Sequence, residues 1–208
     1  MTRRPWIALL ALSLLLVGCS DGGSPLDDPD VAASAPVPGV TLPTGELSEL
    51  VPAPDEVPAG MVPVVLGSGP RDLDAVAAYS GTGAVKQQAA QALRTHGFQR
   101  AYVAQYANQT TGRGLTIVVS RFATAEGATA DFSDDQRATA GTPVPAEELG
   151  DASSVTKQTM PGSVVSELVL VRFLRGTDTW VIAYQAAPTA DPRVATELAT
   201  RLLARTAT

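Results

Sequence analysis

The sequence predicts an α+β domain: an antiparallel sheet of about five strands packed with two to three helices, in the order α-β-β-α-β-β-β-α, preceded by a disordered tether. Three observations predict it. Two strand-like runs flank the turn sequence QTTGRG at 109–114. A second pair, VVSELVLVRFLRG and TWVIAYQAA, is joined through RGTD at 175–178. Three segments with helical spacing of apolar residues precede, separate and follow these hairpins.

From the N-terminus, Arg3 and Arg4 are followed by an uncharged, Leu- and Ala-rich run from Trp6 to Val17. A span needs about 20 apolar residues, so this run is too short to cross a membrane as a mature helix. A basic start and a short apolar core are the pattern of a secretory signal peptide, here residues 1–18. It ends in Leu16-Val17-Gly18-Cys19, and Cys19 is the one cysteine of the chain. This end resembles the lipobox of bacterial lipoproteins. The resemblance implies diacylglycerol on the Cys19 thiol, cleavage before Cys19, acylation of its new amine, and a lipid-anchored location on the extracytoplasmic side of the cell membrane. Lipidation would also remove a free thiol from an oxidising compartment.

Residues 20–59 hold eight acidic residues, no Lys or Arg, and eight of the 16 prolines. That composition cannot bury enough apolar surface to offset chain entropy, so residues 19–59 are expected to be a disordered tether. Random-coil scaling gives it a reach of about 35 Å. A short turn or helix around Glu46 to Leu50 is compatible with the local pattern. Of the 15 basic and 21 acidic residues, two basic ones fall in the signal and eight acids in the tether, leaving 13 of each in residues 60–208. The expected domain is therefore formally neutral and offers no basic stripe for nucleic acid.

Within the domain, 82–96 reads as a helix with Val85, Ala89, Ala92, Leu93 and His96 near one face and Gly97 as its stop. Residues 98–108 and 115–122 are strands. A helix over 124–140, capped by Thr124, turns Ala125, Ala128 and Phe132 inward. Residues 152–160 form a weaker strand. The run 164–176 is apolar on both faces and belongs in the middle of the sheet, with Val165, Leu168, Val169, Leu170 and Val171 inward. The strand 179–187 follows, and Asp191-Pro192 opens a last helix carrying Val194, Leu198 and Leu202 at four-residue spacing.

The chemistry-bearing residues are sparse. His96 is the one histidine and stands at a helix end, a place that favours its protonated form through the dipole. With one His and one Cys there is no zinc set, and no other cofactor is implied. LGSGP at 66–70 is not a nucleophile elbow, and GSGPRD and GTGAVK lack the third glycine of a phosphate loop. The carboxylates of DFSDD at 131–135 spread over a helix face and read as solvated charge. The remaining candidates are aromatic. Phe98, Tyr102 and Tyr106 alternate on one strand, and Trp180 and Tyr184 on another. If these faces meet, they either pack as core, the commoner use of rings, or present an aromatic binding surface built on Tyr102, Tyr106, Trp180 and Tyr184.

The lipobox, the Pro/Asp/Ala tether and phrases such as LTIVVSRFATAEGATADF and LVRFLRGTDTWVIAYQA resemble the small lipoproteins of high-GC Gram-positive bacteria, and the body is similar to their Mog1/PsbP-like members. The resemblance implies a non-catalytic binding or accessory module. Its partners would be the membrane, through Cys19, and an envelope protein, lipid or cell-wall component. The alternative is a small envelope hydrolase using scattered carboxylates and Ser/Thr groups. A two-lobed solute-binding protein needs more than about 150 folded residues.

Overall fold

The computed structural model describes residues 41–206 apart from 140 and 163. Cys19, the expected signal peptide and the first part of the expected tether lie outside the described residues. The elements run β1 (Val62–Pro63), β2 (Gly69–Arg71), α1 (Leu73–Ala78), α2 (Gly83–Thr95), β3 (Phe98–Asn108), β4 (Arg113–Phe122), α3 (Ala125–Ala138), β5 (Thr142–Pro143), β6 (Ala152–Met160), β7 (Ser166–Arg175), β8 (Asp178–Ala186) and α4 (Pro192–Arg205). The sheet order is β1-β3-β4-β8-β7-β6-β5, with β2 also on β3, and the strand pairs are antiparallel.

The α+β class and the antiparallel sheet are as expected, but the sheet has eight strands rather than five. The five long ones are those read from the sequence. The three additions are two- and three-residue pieces, β1, β2 and β5, that cap the two edges. Pairs this short have no period to detect. A fourth helix, α1, precedes the three expected ones; Asp72 caps it by accepting from the Ala75 N–H at 2.8 Å.

The long elements form for the reasons their sequences carry. Gly97 adopts φ 74° directly after the C-cap of α2 and lets the chain turn into β3. Thr124 caps α3 through the Gly127 N–H, and Asp191 caps α4 beside Pro192. The buried face of α2 is Ala90 and Leu93, not the Val85 side; Val85 is 44% exposed. Ala125 of α3 is likewise exposed, while Ala128 and Phe132 are buried. Strand β7 is interior, and β8 occupies the middle of the order. Val165 precedes β7 and is 55% exposed, so it is not part of the core.

Among the described residues hydrophobic clusters lie on both faces of the sheet, with a small third one of Leu168, Leu170 and Ala183 on the second face. On the first face, α4 brings Ala195, Leu198, Ala199 and Leu202 against Ile117, Val171 and Ile182. On the second, α1, α2 and α3 bring Ala77, Leu93, Ala128 and Phe132 against Phe122 and Leu174. The first face is completed by a segment expected to be tether. Leu47, Val51 and Val57 are 2%, 3% and 9% exposed and belong to that core. The ordered domain therefore begins upstream of residue 60. The acidic, proline-rich composition of 41–59 does not build a core by itself, but Leu47, Val51 and Val57, with Leu42 and Leu50 packed beside them, let it lie on a preformed one.

Candidate functional site

Strand register brings the four predicted aromatic residues together. Tyr102 is opposite Val119, which is opposite Trp180, which is opposite Phe173. Tyr106 is opposite Leu115, and Leu115 opposite Tyr184. The two aromatic faces thus meet on one side of the sheet, as alternation requires. The Trp180 indole stacks on Phe173 with centroids 4.8 Å apart and planes 5° from parallel. Phe98 is not on this face. A bulge between Phe98 and Arg100 turns it to the other side, where it meets Phe122 edge-on at 5.8 Å.

The aromatic residues are not an open surface. Tyr102, Tyr106 and Trp180 are each 1% exposed and Tyr184 is 3%. The cover over Tyr102, Tyr106 and Trp180 is the strap of residues 42–57. Its attachment is specific: the Tyr102 hydroxyl donates to the Pro43 carbonyl, the Tyr106 hydroxyl to the Pro52 carbonyl, and Trp180 Nε1 to the Leu50 carbonyl at 3.3 Å. Burial pushes the Tyr102 and Tyr106 hydroxyls above the usual phenol range, so both stay protonated donors. A short 3₁₀ turn at Ser48–Leu50, where a turn or helix was expected, lets the strap change direction over the rings.

Charge fastens the strap at both ends. Glu46 pairs with Arg100 and lies 3.9 Å from Arg121, which also grips Asp178 through two 2.7 Å bonds. At the other end Arg205 pairs with Glu56 and donates to the carbonyls of Val51, at 2.9 Å, and Glu49, at 3.2 Å. Arg201 donates to the Glu56 carbonyl at 3.1 Å. The hydrogen bond from Arg205 holds the Glu56 carboxyl below the usual carboxylate range. Four of the acids assigned to the tether, Glu46, Glu49, Asp55 and Glu56, therefore sit on the body, two of them paired with its arginines. Between the strap limbs lies an open hollow of about 490 Å³, lined by Pro43, Val51, Pro52, Glu56, Tyr102 and Arg205 among others.

The strap anchors and the arginines that hold it are the site residues that sequence reasoning missed. A signal was present: Leu47, Leu50 and Val51 fall at i, i+3 and i+4 inside the acidic stretch.

The other titratable cluster lies on the opposite face. The carboxylates of 131–135 are not simply solvated. Asp135 accepts from Nε of Arg172 at 2.7 Å, and Arg172 is 2% exposed on β7. His96, at the end of α2, lies 3.7 Å from Asp131 through Nδ1 and 3.4 Å from Asp134 through Nε2, and Asp134 also pairs with Arg137. Burial, with Asp135 and Asp134 adding repulsion, pushes the Asp131 carboxyl up to about 7. Gly127 packs so closely that a Cβ there would strike the His96 carbonyl oxygen, which brings α3 down onto the end of α2. The Asp135–Arg172 pair holds α3 to the sheet, and the His96 contacts hold the end of α2 to α3. Among the described residues no group of three or more His, Cys, Asp or Glu could hold a metal ion, and no helix is long and apolar enough to cross a membrane.

No protein-family model matches the sequence, and no curated protein matches it. A solved structure does share the fold. It is the extracellular domain of PknH from Mycobacterium tuberculosis, superposing with a TM-score of 0.55 at 12% identity over 77% of this chain and 94% of that one. At that identity the likeness is one of fold.

Proposed function

We propose that this chain is a non-catalytic binding module of the cell envelope, held on the extracytoplasmic side of the membrane by lipid on Cys19. The observation that carries the reading is the architecture, which is shared with an extracellular domain across most of both chains. The lipobox at residues 16–19 supports the same address. The engagement of the carboxylates speaks against the hydrolase alternative. Asp135 is bonded to a buried arginine, Asp134 to Arg137, and Glu46 and Glu56 to strap-holding arginines. Membrane fractionation of Cys19→Ser tests the anchor. The variant should leave the membrane fraction and keep a folded domain, and metabolic labelling with a fatty acid should mark only the parent chain. A Cys19→Ser chain that remains with the membrane would refute the lipid anchor.

A further inference from the structure

The strap meets the body in the manner of a bound peptide rather than of a sheet strand. Its backbone–backbone hydrogen bonds among the described residues are internal: Ser48 to Gly45, Leu50 to Leu47 and Glu56 to Ala53. Ladder pairing begins only at Val62. What the body offers instead is three ring donors on one face, Tyr102, Trp180 and Tyr106, aimed at three carbonyls, and arginines at the ends aimed at carboxylates and carbonyls. Ring hydroxyl and indole donors directed at main-chain carbonyls can hold a proline-containing segment whose own backbone bonds close into turns, as the strap's do. Proline suits the position because it has no N–H to leave unsatisfied beneath a ring face, and Pro52 is itself buried. Carbonyls are common to every residue, so this recognition asks for little beyond turns that present the carbonyls to the rings, a few apolar anchors and negative charge at the ends.

We propose that the aromatic face is a receptor groove for a turn-forming, proline-containing, acidic segment of another envelope polypeptide, and that residues 42–57 occupy it in cis until such a segment displaces them. This rests on the binding-module reading and names its partner class. The charge argument selects the partner. Arg100 and Arg121 at one end and Arg201 and Arg205 at the other meet acids or carbonyls of the strap, and a basic segment would be repelled at both. The cis segment competes at an effective concentration on the order of mM, so a free partner binds weakly until the strap is loosened. The strap continues upstream into the acidic stretch that leads to Cys19, so its displacement would lengthen the leash between anchor and domain.

The test uses the full chain and a fluorescein-labelled peptide with the sequence of residues 41–58. The Leu47→Ala/Val51→Ala chain should bind the peptide at least about tenfold more tightly than the parent chain, because its internal competitor is weaker. Tyr102→Phe and Tyr106→Phe added to that chain should weaken binding. An unlabelled peptide with its four acids changed to lysine should not compete. Equal or absent binding by a double variant with the parent's circular dichroism overturns the proposal. If that variant does not fold, hydrogen exchange of the parent chain decides. Excess peptide should speed exchange at 44–57 while β3, β4 and β8 stay protected; strap amides that open only with the whole sheet and ignore the peptide overturn it. Light scattering that finds strap-exchanged dimers, undisturbed by peptide, overturns it in favour of a second copy as occupant. Fractionation of Cys19→Ser reports on the anchor alone, so loss of the groove and loss of the anchor are told apart.

Discussion

The Tyr106 hydroxyl donates to the carbonyl oxygen of Pro52, a residue fifty-four positions earlier in the chain. This bond joins the C-terminal part of a long strand to a segment whose composition reads as tether. Tyr106→Phe keeps the ring and removes the donor, leaving a buried carbonyl without its partner. The cost should be about 1–2 kcal/mol in a urea titration, with earlier proteolytic cutting between 41 and 58. Unchanged stability together with unchanged cutting would show that the bond does not hold the strap.

Trp180 is 1% exposed beneath the strap. In a chain that starts at Cys19 it is the remaining tryptophan. Its emission should be blue-shifted and poorly quenched by iodide, and Leu47→Ala should move both toward the solvated limit, since it removes apolar cover. A red emission in the parent chain would mean that the strap is not seated in solution.

Leu170 is 5% exposed on the second face of β7. Leu170→Ala should cost about 2–5 kcal/mol, a large part of the stability of a domain this size. A loss under about 0.5 kcal/mol would place the position at the surface.

Asp131 titrates near 7 in the folded chain, raised from 3.8 chiefly by burial and then by Asp135 and Asp134; His96 faces it across 3.7 Å. The folded state therefore holds this proton more tightly than the unfolded state does. The resulting stability is complete below pH 3.8 and is lost as pH rises through about 7. Asp131→Asn removes that dependence. Its stability relative to the parent should grow between pH 4 and 7 and then level off, read from urea midpoints across the range. A difference that stays constant with pH would show that Asp131 is not protonated in the folded state at neutral pH.

Much of the body is legible in the sequence because its signals are local. QTTGRG and RGTD mark the hairpins β3–β4 and β7–β8, and alternation in those strands brings Tyr102, Tyr106, Trp180 and Tyr184 to one face. Capping by Thr124 and Asp191 and the turn at Gly97 depend on a few neighbouring residues, so they too can be read directly. The tilt of Phe98 to the other face was not legible, because a bulge shifts the side-chain period by one without a sequence mark.

By itself the sequence determined the class of the fold, its five long strands and three of its helices, since periodicity and turn chemistry act over a few residues. Whether the rings are surface or core, and where the domain begins, only tertiary structure decided. Leu47, Val51 and Val57, with Leu42 and Leu50 beside them, are too few to drive folding of an acidic, proline-rich stretch, yet they suffice once the sheet presents Tyr102, Tyr106 and Trp180 as a floor and Arg100 and Arg205 as clamps. That decision rests on contacts between residues dozens of positions apart, and a composition averaged over residues 20–59 contains no trace of the partner that makes the segment fold.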